Sequence, residues 1–396
     1  MKPAINPKIL LYWTLIIAGL VVASARAQFG YKKLDDDPYS EYKRIDFWTH
    51  PHYNRVEGVA MHGGMLLKLI SAKSLGIICE AKYGTKSETF RYEAGLDKRF
   101  FKKNRLILRA MVFDETATND NWKVGVNENT LAGVFLHEDF RDYFERRGWR
   151  VFADKKFHSY HLFRVEYAQY EYSSMATRTN FAGSLLGGNK VYRPNPAIRE
   201  GRERSLKFSL ALDHRDNLYF PNHGWVLHTV LQRTFGDFNT NGFFLDWTHY
   251  TSTWAHQKFV LRGLFGARSG TMGAQHLMSI GGVGTLRGFR DYLRSGRNFA
   301  MLNAIYVFGG DILQNSPIRN FPMMDSTYLG FFYEIGDAWN NENNQNFAPT
   351  FNRASWLSDA GVSLLIMDGL LRFDFARQIK GGSGGWRITC RLFNKL

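Results

Sequence analysis

Apolar and polar side chains alternate with a period of two along most of the chain, the pattern of strands that bury one face. From Tyr160 to Tyr172, His161, Phe163, Val165 and Tyr167 share one parity, while Arg164 and Glu166 take the other. Leu206, Phe208, Leu210 and Leu212 oppose Lys207, Ser209 and Asp213, and Trp225, Leu227 and Leu231 oppose His228 and Gln232. Further on, Leu329, Phe331, Tyr333 and Ile335 oppose Glu334 and Gly336, and Leu371, Phe373 and Phe375 oppose Arg372 and Asp374. The closing run sets Trp386, Ile388, Cys390 and Leu392 against Arg387, Thr389 and Arg391. Charges recur on the second face, strand after strand. That face meets either bulk water, as on a soluble sandwich, or a wet interior.

Breakers divide the pattern unevenly. Short turns at Asp213–Gly224 and Phe235–Gly242 contrast with long polar segments near 115–130, 175–203, 270–298 and 338–355. Short turns on one rim and long loops on the other describe an outer-membrane barrel, periplasmic and external respectively. Counting Leu131–His137 as a strand gives about sixteen, an even number as is usual in bacterial barrels. Leu131, Val134, Phe135, Phe140, Tyr143 and Phe144 also fit a short amphipathic helix, and both readings stay open.

The N-terminus decides between sandwich and barrel. Lys2 and Lys8 precede an apolar run from Ile9 to Ala23, and Ala25-Arg26-Ala27 supplies a small-x-small cleavage pattern. This predicts a signal peptide over 1–27, because the apolar run is short for a spanning helix. Residues 28–54 lack clear periodicity and read as a short tether or plug, too small for a domain. Residues 55–396 remain for the barrel. Phe 32, Tyr 19, Trp 10 and Gly 37, with a mean hydropathy of −0.32, fit strands that alternate between lipid and a polar lumen.

The formal charge of +15 falls to +12 once Lys2, Lys8 and Arg26 leave with the signal. In an exported chain this charge predicts an Arg-rich lumen favouring anions, or rims facing phosphorylated lipid, and no nucleic-acid partner. Cys79 and Cys390 cannot make a disulfide framework. They fall in different predicted strands and read as packing residues, with a single bridge as the alternative. The glycine-rich run 281–288 lacks the Gly-Lys-Ser/Thr of a phosphate loop, and the 12 histidines show no paired ligand spacing. No Gly-x-Ser-x-Gly nucleophile motif occurs. The expectation is therefore a protein that is not an enzyme, with no catalytic residues, no metal and no cofactor.

Ser279-Ile280-Gly281-Gly282-Val283-Gly284-Thr285-Leu286-Arg287-Gly288-Phe289 is the most informative run. Here the chain resembles the BamA/TamA superfamily, the bacterial surface antigen family. In that family a long external loop folds back into the barrel and ends in an Arg-Gly-aromatic tip, matched by Leu286, Arg287, Gly288 and Phe289. An enclosed guanidinium needs an anionic partner. The resemblance places that partner in a Phe-x-Asp-x-Gly strand, here Phe332-Tyr333-Glu334-Ile335-Gly336, which predicts a bidentate Arg287–Glu334 contact backed by Gly336. Asp213 to Gly224 is similar to a family turn, and Tyr53-Asn54-Arg55-Val56-Glu57-Gly58 looks like an opening strand. Gly336-Asp337-Ala338-Trp339, Asp359-Ala360-Gly361 and Leu371 to Ala376 match late strands. Ser363 stands where a second Gly is common, and the chain ends on Phe393-Asn394-Lys395-Leu396 without the usual terminal aromatic.

The resemblance implies help with insertion or translocation of polypeptides at the outer membrane. The seam would lie between an Arg55–Leu67 strand carrying Arg55 and Glu57 and a Trp386–Phe393 strand carrying Trp386, Ile388 and Phe393. The expected partners are outer-membrane lipid, an unfolded or nascent barrel client and a separate periplasmic partner. The family's insertases carry POTRA repeats ahead of the barrel, and 27 residues cannot hold one. The alternative is therefore a passive or solute-specific pore, or a structural barrel without assembly activity.

Overall fold

The computed structural model describes residues 45–69, 75–100, 106–158, 161–181, 190–218, 220–254, 257–308, 326–340 and 355–392. The predicted signal peptide, residues 28–44 and Phe393 lie outside them. The strands are β1 (Ile45–Thr49), β2 (His52–Asn54), β3 (Gly58–Lys68), β4 (Leu75–Gly84), β5 (Thr89–Phe100) and β6 (Leu106–Ala117). They continue as β7 (Phe144–His158), β8 (His161–Ser174), β9 (Gly201–Asp213), β10 (Gly224–Gly236), β11 (Asn239–Ser252) and β12 (Lys258–Thr271). The last are β13 (Met278–Ile280), β14 (Arg294–Gly296), β15 (Asn298–Phe308), β16 (Tyr328–Trp339), β17 (Leu357–Ile366), β18 (Leu371–Lys380) and β19 (Trp386–Leu392).

Apart from the small β13–β14 hairpin, every strand pairs antiparallel with its neighbours in one sheet. β1 and β2 occupy a single position in it. Ile45↔Leu67 through Thr49↔Gly63 and His52↔Ala60 through Asn54↔Gly58 keep one unbroken register against β3, and His50 donates its N–H to the His62 carbonyl at 2.9 Å. The gap falls at Pro51, which has no N–H to give. Counted this way the sheet has sixteen strand positions. The sheet does not close: among the described residues no register joins β19 to β1 or β2.

Two boundaries differ from the sequence expectation. Residues 45–54, expected to be part of a tether or plug, form the first strand position. Arg55-Val56-Glu57, expected within an opening strand, form the turn that follows. Asn54 makes that turn, since its Oδ1 accepts the N–H groups of Val56 at 3.0 Å and Glu57 at 2.8 Å. Leu131–His137 is not a strand either. Helix α1 (Val126–Leu131) continues into a wider turn over Ala132–Leu136.

Alternation has the expected sense. Phe331, Tyr333, Phe375, Trp386 and Ile388 are exposed on the outer face, while Glu334, Arg372 and Asp374 are buried on the inner one. The interior is occupied by two inward segments. One is 118–143, between β6 and β7, which carries α1. The other is 272–297, between β12 and β15, which carries β13 and β14. Ile280, Leu286 and Phe289 of the second pack with Leu264, Phe299, Met301 and Leu357 of the wall, and Val283 packs with Val124, Ala132 and Phe140 of the first. Each fully buried apolar side chain contributes roughly 1.5–3 kcal/mol.

Beside these segments a cavity of about 1720 Å³ remains. Its walls are charged but compensated. Lys82 pairs with Glu57 at 2.9 Å, Arg215 with Asp213 at 2.6 Å and Arg262 with Asp246 at 2.7 Å, and Arg91 and Arg146 pair with Asp114 and Glu115 respectively. These pairs offset positive charge on the inner face and so oppose the anion preference expected from it. In planar bilayers the barrel is expected to give a small conductance with a reversal potential near zero in a potassium chloride gradient. A wide, strongly anion-selective conductance would contradict this account of the lumen.

Candidate functional site

The tip of the 272–297 segment reaches the inner faces of β16, β17 and β18. Arg287 is 4 % exposed and divides its donors among three strands. Its Nε lies 2.9 Å from Glu334 Oε1, and its backbone N–H donates to Glu334 Oε2 at 2.8 Å. One terminal nitrogen donates to Asp374 Oδ1 at 2.9 Å and to Ser363 Oγ at 3.2 Å. The expected bidentate side-chain fork onto Glu334 is therefore replaced by a split fork. The longer Glu side chain reaches back to the loop backbone and leaves the guanidinium end to Asp374. Burial works against the charge, but Asp374, Glu334 and Asp359 outweigh it and raise the Arg287 pKa above the ordinary value. The guanidinium also stacks 4.1 Å over the Phe332 ring.

Neighbouring tip residues have equally specific seats. Leu286 and Phe289 are buried among apolar side chains. Gly288 donates its N–H to Asp359 Oδ2 at 2.7 Å, and a Cβ there would lie 2.9 Å from Asp359 Cβ, so no larger residue fits without displacement. Gly336 makes room for Ile280, whose Cδ1 would be 2.6 Å from an added Cβ. Asp359, Ser363 and Asp374 complete the seat but had no assigned role in the sequence. The inward parity of Asp374 and Asp359 was the signal available. Ser363, which departs from the family's usual Gly, bridges Arg287 to Asp374.

The tip is joined to the 118–143 segment. Tyr292 places its hydroxyl 2.6 Å from Asp120 Oδ2 and 2.8 Å from the Phe140 carbonyl oxygen. Burial first, and the adjacent Asp120 charge second, push the Tyr292 pKa well above its ordinary value. Asp120 resists burial because Lys123, at 3.0 Å, and the Tyr292 hydroxyl favour its charged form, and its pKa is lowered.

The edge residues divide differently from expectation. Trp386 and Ile388 stand on the outer face of β19. Arg55 and Glu57 are turn residues with buried side chains. Arg55 pairs with Asp139 at 3.1 Å and Asp142 at 2.9 Å, and Glu57 pairs with Lys82 at 2.9 Å. β3 is paired along both edges, to β4 on one side and to β1 and β2 on the other. The free edge facing β19 therefore belongs to residues 45–54. Cys79 in β4 and Cys390 in β19 are unbridged. Among the described residues no group of three or more His, Cys, Asp or Glu is placed to hold a metal ion.

A sixteen-position antiparallel barrel with a charged interior, an inward arginine-tipped loop and an edge left unpaired among the described residues defines a class of membrane barrel. Residues 76–388 match the family model of the Omp85 superfamily domain, and the chain belongs to that superfamily. The family places it in the bacterial outer membrane. Among solved structures, BamA from Haemophilus ducreyi lacking POTRA domains 1–3 matches with a TM-score of 0.59 at 13% identity, over 89% of this chain and 70% of that one. CdiB from Acinetobacter baumannii matches with a TM-score of 0.41 at 13% identity, over 88% of this chain and 59% of that one. CdiB from Escherichia coli matches with a TM-score of 0.40 at 10% identity, over 89% and 62%. The chain thus spans about three-fifths of the CdiB structures. No curated protein matches it.

Arg287→Ala leaves Glu334 and Asp374 buried without their shared cation, a loss on the order of 3–5 kcal/mol for a buried pair broken on one side. Faster cleavage of the 272–297 segment by protease added to intact cells is the expected result. Unchanged cleavage would remove Arg287 as the anchor. Tyr292 supplies a pH dependence of known sign. Its raised pKa gives stability that is full below the unfolded value of about 10 and declines as pH rises through the folded value. Protease sensitivity of the segment should therefore step up above about pH 10, and Tyr292→Phe should flatten that step.

Proposed function

We propose that this barrel assists insertion or translocation of polypeptides at the outer membrane through the edge between residues 45–54 and β19. The unpaired edge carries this reading. Backbone N–H and C=O groups have no water to satisfy them in hydrocarbon, so an unclosed sheet edge is tolerable there only while something else supplies partners. An incoming strand of a client barrel supplies them by adding to the sheet. Among the described residues β19 is the shorter side of this edge, with 7 residues against 14 in β8, β11 and β12, so it offers fewer ladder groups of its own to residues 45–54.

In this reading residues 1–27 direct export, and nascent barrels are the clients, with a separate periplasmic protein delivering them. The interior segments keep the lumen closed to solutes while the edge works. This is favoured over a passive pore because two inward segments occupy part of the lumen and many of its charges are paired.

The test is a reversible lock. In a Cys79→Ser background, Cys390 is paired in turn with cysteines introduced at positions 45 to 49, and oxidised. Proteoliposomes carrying a locked barrel should lose insertion of a nascent client barrel and regain it on reduction. Normal insertion by a fully locked barrel would exclude lateral opening at this edge.

A further inference from the structure

We propose that helix α1, within the 118–143 segment, is the internal latch of the open edge, holding residues 45–54 and β19 together until a client strand displaces it. The proposal rests on the edge reading above and names what controls it.

Three consecutive residues of α1 face in the required directions. Glu128 accepts two hydrogen bonds from Arg391 of β19, 2.8 Å from Nε to Oε1 and 2.9 Å from a terminal nitrogen to Oε2. Arg391 also donates to the Lys123 carbonyl at 2.9 Å, just ahead of α1. Both side chains are buried, which makes this one of the strong charge-assisted contacts. Asn129 donates to Asp139 Oδ1 at 3.0 Å and accepts the Phe140 N–H at 2.9 Å. It thereby fixes α1 to the carboxylate that pairs with Arg55 and accepts the Arg55 N–H at 2.9 Å. Thr130 Oγ1 accepts the backbone N–H of Tyr53 in β2 at 3.1 Å.

The Tyr53 contact is the informative one. In an antiparallel ladder, N–H groups point alternately toward and away from the partner strand. His50 donates to His62 of β3, so in the shared register Tyr53 points its N–H away from β3, toward the free edge. Thr130 thus takes a donor that a neighbouring strand would take. One short helix satisfies an edge N–H on the first strand and an inward arginine on the last. The apolar contact of Val124 and Ala132 with Val283, and the seat of Gly284 against the Lys123 backbone, tie the latch to the arginine-tipped segment. A client strand that adds to residues 45–54 competes directly for the Tyr53 N–H, so its arrival loosens Thr130 first.

The experiment measures the edge itself in the full chain in lipid bilayers. Spin labels are placed on native Cys390 and on Phe47→Cys, both in a Cys79→Ser background, and the distance distribution is recorded. Glu128→Gln and Thr130→Val should each lengthen the distance by about 5 Å or more, the width of one strand. Thr130→Val leaves every charge paired, so it decides the matter if Glu128→Gln fails to fold. Distributions matching the parent in a folded Thr130→Val barrel would overturn the latch. The insertion assay with the locked edge separates the two readings. If the variants lengthen the distance while locked barrels insert clients normally, the latch stands and the lateral insertion route falls. If locking abolishes insertion and the variants change no distance, the route stands and the latch falls.

Discussion

A guanidinium buried inside a barrel wall has to be neutralised by groups that arrive from several strands at once, and Arg287 sets this condition for the whole interior. Its partners lie on β16, β17 and β18, which are brought into reach only when their registers agree. A slip of one residue in either ladder would turn Glu334 or Asp374 to the lipid face. The tip therefore reads out the assembly of three strands. In return, those strands hold carboxylates that would be costly to bury without it.

From that anchor the interior is built outward in a fixed order. The tip positions the remainder of 272–297, whose apolar side chains pack on β12, β15 and β16. Tyr292, Lys123 and Val283 then join it to the 118–143 segment, through Asp120, Ser279 and Val124 respectively. That segment ends on residues 45–54 and β19, the two strand positions that, among the described residues, pair on one side alone. The chain of contacts runs from the best satisfied part of the wall to the least satisfied.

Much of this was legible in the sequence, for a physical reason. Strands such as β8, β9, β16 and β18 show their faces because lipid and lumen demand different side chains at alternate positions. Arg287 stood out because its glycine-rich run resembles an inward loop tip, where an enclosed guanidinium needs an anionic partner. What stayed hidden obeys other rules. Residues 45–54 do not alternate cleanly and are interrupted at Pro51, so they did not read as a strand. Asn54 reversed the chain with its side chain, whereas the run around it looked extended. A helix of 6 residues such as α1 is too short for a 3.6-residue period to declare itself. The partners of Arg287 beyond Glu334, Ser363 and Asp374, lie 76 and 87 residues downstream of it, and only pairing register brings them together.

An unpaired edge in a membrane has two solutions, closure by its own sheet or satisfaction by something else. Full closure would bury the edge N–H and C=O groups in a ladder that an incoming strand could enter only by breaking many bonds at once. Satisfaction by side chains of an internal helix replaces that ladder with a few contacts, each of which can be exchanged singly. The same helix belongs to the packing inside the lumen, so in the proposed latch the atoms that hold the edge are also atoms of the interior packing. Under that proposal edge opening would require movement of the interior segments, and the arginine-tipped anchor would limit how far that movement could spread.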